Sequence, residues 1–168
     1  MNYFELFEIP VSLKIDTTTL SKKFFALSKK FHPDYTVNES SDVQAEALER
    51  SAQLNKAWKT FQNPDATIKY VLMEKGLLQE EEKYELPPAF LMEVLEINEQ
   101  LMEMDEATDR TQLSSIISNL SSEIYEPVKE IVENYKDGVS TEEELLQVKE
   151  YYYKKKYLDR IRKELSPK

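Results

Sequence analysis

Apolar positions along this chain recur at helical spacing, and no stretch alternates in the two-residue rhythm of a half-buried strand. Between Asp16 and Phe31, Leu20, Phe24, Leu27 and Phe31 follow one another at intervals of four, three and four residues, so they line one helix face. Asp16 or one of Thr17 to Thr19 can cap its start. Pro33 stops it, because proline disfavours a helical conformation in His32. A shorter helix is predicted from Tyr3 to Ile9, with Phe4 and Phe7 turned inward. After a polar loop from Asp34 to Asp42, a helix spans Ser41 to Gln62, with Leu48, Leu54, Ala57, Trp58 and Phe61 as its apolar side. Asn63-Pro64 then reads as an N-cap followed by proline at the first helical position. The helix it opens carries Ile68, Val71 and Leu72 and ends near Gly76.

Three longer helices are expected beyond Pro87-Pro88: Ala89 to Ala107, Thr111 to Tyr135, and Thr141 to Leu165. The second carries a near-heptad stripe of Leu113, Ile117, Leu120, Ile124, Val128, Ile131 and Tyr135. Pro127 interrupts it, and its missing N–H frees the Glu123 carbonyl, which calls for a kink or a break. Leu145, Val148, Tyr152, Ile161 and Leu165 make the buried face of the third. Short connections between the three imply an up-down-up bundle. The expected fold class is all-α: a helical hairpin with short flanking helices over residues 1–76, an acidic linker over 77–88, and a three-helix bundle over 89–168.

Composition narrows the chemistry. The 168 residues contain no cysteine, one histidine and two glycines. Those counts exclude thiol nucleophiles, disulfide scaffolds, Cys-ligated metals, multi-His metal sites and Gly-rich phosphate loops. No metal or other cofactor is expected. The formal net charge is −10, and it is local. Residues 1–75 and 110–168 are each balanced, whereas between Glu80 and Asp109 eleven acids face one base, Lys83. A solvated acidic linker followed by a solvated helix face is one reading of that run. No apolar run is long enough to span a membrane and no targeting segment is visible, so a cytoplasmic protein is expected, though a chain whose transit peptide had been removed would look the same.

His32-Pro33-Asp34 follows a helix whose polar side carries Lys22, Lys23, Lys29 and Lys30. Taken alone, His32 could simply cap a helix C-terminus and Asp34 could be a turn residue. In its setting of a very short helix, a Lys-rich helix, the run Leu54-Asn55-Lys56-Ala57-Trp58-Lys59-Thr60-Phe61 and Asn63-Pro64, the tripeptide resembles the signature of J domains in DnaJ-type co-chaperones, across residues 1–75. The resemblance implies an activator of a DnaK-type chaperone ATPase, docking through Lys22, Lys23, Lys29, Lys30, His32, Pro33 and Asp34. Lysines can steer association with an acidic surface, Asp34 can accept charge-assisted hydrogen bonds from an arginine, and Pro33 lowers the ordering cost of docking. Tyr35 stands where many J domains place a basic residue. No Gly/Phe-rich or Cys-rich segment follows residue 75, so the client must be chosen by other means.

The helix beginning near Phe90 carries a surplus of apolar residues. With Phe90 set at 0° and about 100° per residue, Val94, Ile97, Leu101 and Met104 complete one stripe within about 40° of it. Leu91, Leu95 and Met102 form a second stripe at about 100–140°, with Glu99, Met92, Glu103 and Glu96 beside it at about 180–240°. The second stripe either packs on another part of the chain or is an exposed patch for an apolar-and-basic partner. The run from Phe90-Leu91-Met92-Glu93 to Glu103, together with Lys156-Tyr157-Leu158-Asp159-Arg160-Ile161 and the opening Tyr3-Phe4-Glu5-Leu6-Phe7, is similar to HscB/Jac-type co-chaperones, over essentially the whole chain. That resemblance implies delivery of an IscU-type iron–sulfur scaffold to an HscA-type chaperone, with Leu91, Met92, Leu95, Glu96, Glu99, Glu103 and Tyr157 as the scaffold-binding patch.

The expected function is therefore that of a co-chaperone and not an enzyme, since no nucleophile–base constellation can be drawn. The alternative is a J-protein adaptor that uses the same helix for a different client. The expected partners are a DnaK/HscA-type chaperone and an IscU-type scaffold, with no nucleic acid and no membrane. Monomer and weak dimer are both open.

Overall fold

The computed structural model describes residues 1–103 and 107–165, and among these the secondary structure is entirely helical. The elements are α1 (Tyr3–Phe7), α2 (Thr17–Lys30), α3 (Pro33–Thr36), α4 (Ser41–Gln62), α5 (Pro64–Glu74), α6 (Pro88–Met102), α7 (Ala107–Tyr125), a 3-10 turn (Glu126–Val128), α8 (Lys129–Glu133) and α9 (Glu142–Leu165). The chain divides into two compact units. One comprises Met1–Glu74 with Tyr135–Val139; the other comprises Lys75–Asn134 and the chain from Ser140 onward.

In the first unit α2 and α4 form the helical hairpin, closed by α1 and α5. Local chemistry sets the ends. The Asp16 carboxylate accepts from the Thr18 N–H at 3.0 Å and caps α2, and Ser40 caps α4 through the Val43 N–H at 3.3 Å. Asn63 accepts from the Ala66 N–H at 3.1 Å at the start of α5, with Pro64 first in the helix, as the sequence predicts. Phe4, Phe7, Leu20, Leu54, Ala57, Phe61, Ile68, Val71 and Leu72 are buried. Thr67 is buried with them, its hydroxyl 3.0 Å from the Asn63 carbonyl and 3.2 Å from that of Thr60. Tyr3 stacks on Tyr70 at 4.5 Å, and its N–H donates to the Tyr70 hydroxyl at 2.8 Å.

Two expectations for this unit change. The stretch after His32 is not all loop, because Pro33–Thr36 forms the single turn α3. On α4, Leu48 is 65% exposed, and Ala47 is buried in its place. Ala47 falls about 20° from Leu54 around the helix, whereas Leu48 falls about 120° from it and leaves the covered face.

In the second unit α6, α7 and α9 pack together. Phe90, Val94 and Ile97 of α6 are buried, as are Leu113, Ile117, Leu120 and Ile124 of α7. All five residues predicted for the buried face of α9 are buried, joined by Tyr151 and Leu158. α9 opens with a reciprocal capping box: the Glu144 N–H donates to Thr141 Oγ1 at 3.2 Å, and the Thr141 N–H to Glu144 Oε1 at 3.0 Å. Pro127 breaks the second bundle helix, which continues through the 3-10 turn into α8. Val128, in the turn itself, is buried as predicted, and the stripe shifts only beyond it, where Val132 is buried and Ile131 is half-buried. α6 stops at Met102, short of the predicted Ala107, and Met104 lies outside the described residues.

The segment 77–88 groups with the second unit, and part of it is fastened to α9. Glu82 accepts from the Tyr153 hydroxyl at 2.7 Å and pairs with Lys149 at 3.1 Å. Tyr84 stacks on Tyr153 at 4.5 Å, with Lys149 Nζ 5.6 Å from the centre of its ring. The Tyr153 hydrogen bond, followed by Lys149, holds the Glu82 carboxyl below the usual carboxylate range despite partial desolvation. Burial, then the hydrogen bond to Glu82, push the Tyr153 hydroxyl up.

Candidate functional site

Two surfaces carry the residues singled out from the sequence, one in each unit. In the first, His32 is the N-cap of α3. Its Nδ1 accepts from the Asp34 N–H at 3.2 Å. The same nitrogen lies 3.5 Å from Asp34 Oδ2. An ion pair there would need Nδ1 protonated, and the amide bond needs its lone pair, so the two exclude each other. The amide bond is the shorter of the two and satisfies an otherwise open helix-end donor. His32 thus shapes the turn. Pro33 occupies its first helical position, where the fixed φ suits the helix and no N–H is lost. The Asp34 carboxylate is left 87% exposed, open to an outside donor.

α2 presents its lysines unequally. Lys22, Lys29 and Lys30 are exposed, and Lys30 lies 5.6 Å over the Phe31 ring. Lys23 is half-buried and donates to the Glu8 carbonyl at 2.7 Å, bracing the left-handed residue that ends α1. Phe25, absent from the sequence expectation, is 71% exposed and sits three residues from Lys22 and four from Lys29. Its neighbour Phe24 stacks on Trp58 at 4.4 Å, so the two adjacent rings point to different environments. The signal was in the spacing, since Phe25 lies about 100° from the Phe24 stripe.

In the second unit the surplus stripe of α6 faces outward. Leu91, Met92, Leu95 and Met102 are 43%, 60%, 50% and 86% exposed. Glu96, Glu99 and Glu103 are exposed beside them. None of the described hydrogen bonds or ion pairs ties those three acids down. Across from α6, Tyr157 of α9 is half-buried under the Arg160 guanidinium, 5.8 Å from the ring centre. Leu91, Tyr157, Lys156 and Arg160 line one groove of about 530 Å³, with Tyr84 and Tyr153 at its side. Lys156 and Arg160 are the residues the sequence expectation missed here; they sit one residue before and three after Tyr157.

Among the described residues no group of His, Asp or Glu is placed to hold a metal ion, and no helix is long and apolar enough to cross a membrane. Both surfaces are built of exposed charges and apolar side chains, which is the chemistry of protein association.

Residues 86–166 match the family described as the HSCB C-terminal oligomerisation domain. Two solved structures are similar along nearly the whole chain. The crystal structure of the human co-chaperone protein HscB superposes with a TM-score of 0.79 at 26% identity, covering 98% of this chain and 80% of the human one. The chaperone HscB from Vibrio cholerae gives 0.71 at 26% identity, covering 98% of this chain and 95% of its own. A hairpin carrying His-Pro-Asp, a C-terminal segment that matches the HscB family and a shared fold from end to end agree: the chain is similar to HscB-type co-chaperones along nearly its whole length.

Proposed function

We propose that this protein is a co-chaperone that serves iron–sulfur cluster assembly, stimulating the ATPase of a DnaK/HscA-type chaperone and delivering an IscU-type scaffold protein to it. The first unit acts through Asp34, held out by the His32-capped turn, and through the exposed Lys22, Lys29 and Lys30. An arginine of the chaperone is a suitable partner for Asp34, because a charge-assisted hydrogen bond to a carboxylate is among the stronger polar contacts. Phe25 gives the lysine face an apolar centre. Lys23 contributes by bracing α1 against α2, which keeps that face in place.

The observation that carries the client half is the outward stripe of Leu91, Met92 and Leu95, bordered by Glu96, Glu99 and Glu103. Exposed leucines at α6 cost the free protein solubility and return binding energy only when a partner covers them. Tyr157 lies alongside as a rigid aromatic contact. Steady-state ATPase assays test both halves. Asp34→Asn is expected to abolish stimulation with or without scaffold. Leu91→Ala with Leu95→Ala is expected to weaken scaffold binding at least tenfold, since truncated interface anchors cost about 1–2 kcal/mol each, and to remove only the scaffold-dependent part of the stimulation. Full stimulation by the Asp34 variant, or unchanged scaffold affinity of the double variant, overturns the corresponding half.

A further inference from the structure

α9 carries six cationic side chains between Lys149 and Arg162. Four are neutralised within the molecule: Lys149 by Glu82, Lys154 by Glu150, and Lys155 and Arg162 by Asp159, at 3.1, 3.5, 2.9 and 3.4 Å. Lys156 and Arg160 are the two for which no carboxylate lies within ion-pairing distance among the described residues. They are four residues apart and therefore share a helix face. Both are exposed and both line the groove beside Leu91. Each rests over a tyrosine, Lys156 Nζ 5.9 Å from the Tyr153 ring centre and Arg160 Cζ 5.8 Å from that of Tyr157. A ring beneath a cation displaces water from one side of it and holds the head group in position without neutralising its charge.

We propose that Lys156 and Arg160 form a carboxylate-binding subsite, which takes an Asp or Glu side chain from the same scaffold segment that covers Leu91 and Tyr157. This rests on the scaffold reading above and extends it with the chemistry of the bound segment. The groove pairs an apolar wall, Leu86, Leu91 and the Tyr157 ring, with two cations at its edge; Glu82 and Glu85 also line it, Glu82 already bound to Tyr153 and Lys149 and the exposed Glu85 outside ion-pairing distance of either cation. A free anion would use the cations and leave the wall wet, whereas an acidic side chain next to an apolar one satisfies both. The Arg160 guanidinium offers a planar fork that matches a carboxylate, and Lys156 adds a mobile point charge. Glu96, Glu99 and Glu103 give the docking surface a negative end on α6, so Lys156 and Arg160 give it a positive one. A surface with two poles accepts a segment in one direction only, because reversal would set like charges together. The scaffold segment is therefore apolar in its middle, basic at the end facing α6 and acidic at the end facing α9.

Titration calorimetry with a purified IscU-type scaffold tests this, using the full chain in four forms: wild type, K156E/R160E, K156Q/R160Q, and K129E/K163E as a control of equal charge change on exposed lysines elsewhere in the unit. The reversal at Lys156 and Arg160 is expected to weaken binding about a hundredfold and the neutral pair about tenfold, with a shallower salt dependence in both. The control pair is expected to shift affinity less than threefold. All four substituted side chains are solvent-facing, and circular dichroism checks that each variant keeps its helices. Equal affinity of K156Q/R160Q and wild type overturns the subsite, as does tighter binding by K156E/R160E or an equal loss in the control. Absence of scaffold binding by the wild type itself overturns the scaffold reading along with it, so the two failures are told apart.

Discussion

Glu82 shows how much a single side chain changes the meaning of an acidic run. In the sequence Glu80-Glu81-Glu82 is uniform, and nothing marks one carboxylate from its neighbours. Folding selects Glu82, which accepts from Tyr153 and pairs with Lys149, a residue far along the chain. Because the folded carboxyl is held below its ordinary value of 4.5, this contribution is fully present above that value and is lost as pH falls through the depressed one. Glu82→Gln is therefore expected to lower stability by about 1 kcal/mol at pH 7, the upper range for a partly exposed pair. The gap should shrink steadily as pH is lowered below 4.5; a gap independent of pH in thermal melts would show that the charge contributes nothing. Lys23 teaches the same lesson with the opposite sign. It reads as one of four equivalent lysines, yet its ammonium is spent on the Glu8 carbonyl. Charge identity is legible in a sequence, but the partner a charge finds depends on which loops fold back over it.

Among the elements, α4 and α6 separate what periodicity can decide from what it cannot. The phase of α4 is set by four neighbours, α1, α2, α3 and α5, which together cover a wide face, and that face takes in Ala47 and leaves Leu48 out. Leu54→Ala is expected to cost about 2–5 kcal/mol by opening a cavity, whereas Leu48→Glu should stay within about 0.5 kcal/mol of wild type. Chemical denaturation of both variants measures the contrast, and a large loss from Leu48→Glu would mean that side chain is covered. The break in the second bundle helix was legible because proline removes a defined hydrogen bond at a defined place. The end of α6 was not. No glycine or proline stands beside Met102 to mark it, so the spacing alone gives α6 no stop there. The two apolar stripes of α6 were legible as a surplus, and their division into a buried and an open one became definite only once α7 and α9 were packed against Phe90, Val94 and Ile97.

For the molecule as a whole, the net charge of −10 conceals a balanced first unit with a basic helix face and an acidic surface on α6. The two proposed docking events therefore involve partners of opposite local charge, and salt should weaken both. Between 50 and 300 mM salt, the concentration of this protein giving half-maximal chaperone stimulation is expected to rise severalfold, while the maximal stimulation holds. A fall in the maximum with an unchanged midpoint would place the lysines in the ATPase signal and not in encounter. Fold class, the His-Pro-Asp turn and the surplus apolar stripe of α6 were all legible in the sequence, because each rests on local spacing or on a motif. The Glu82 fastening and the unpaired cations of α9 rest on pairings between distant residues, or on their absence among the described residues, which spacing does not encode.

The stacking of Trp58 on Phe24 has a practical outcome. The chain has ten tyrosines and this single tryptophan, and the indole belongs to the unit that carries the His-Pro-Asp turn. Light absorbed at the red edge of the protein spectrum excites indole and not phenol. Emission collected that way is a native optical label for one half of the molecule, in place without any dye, and silent about the half that carries α9.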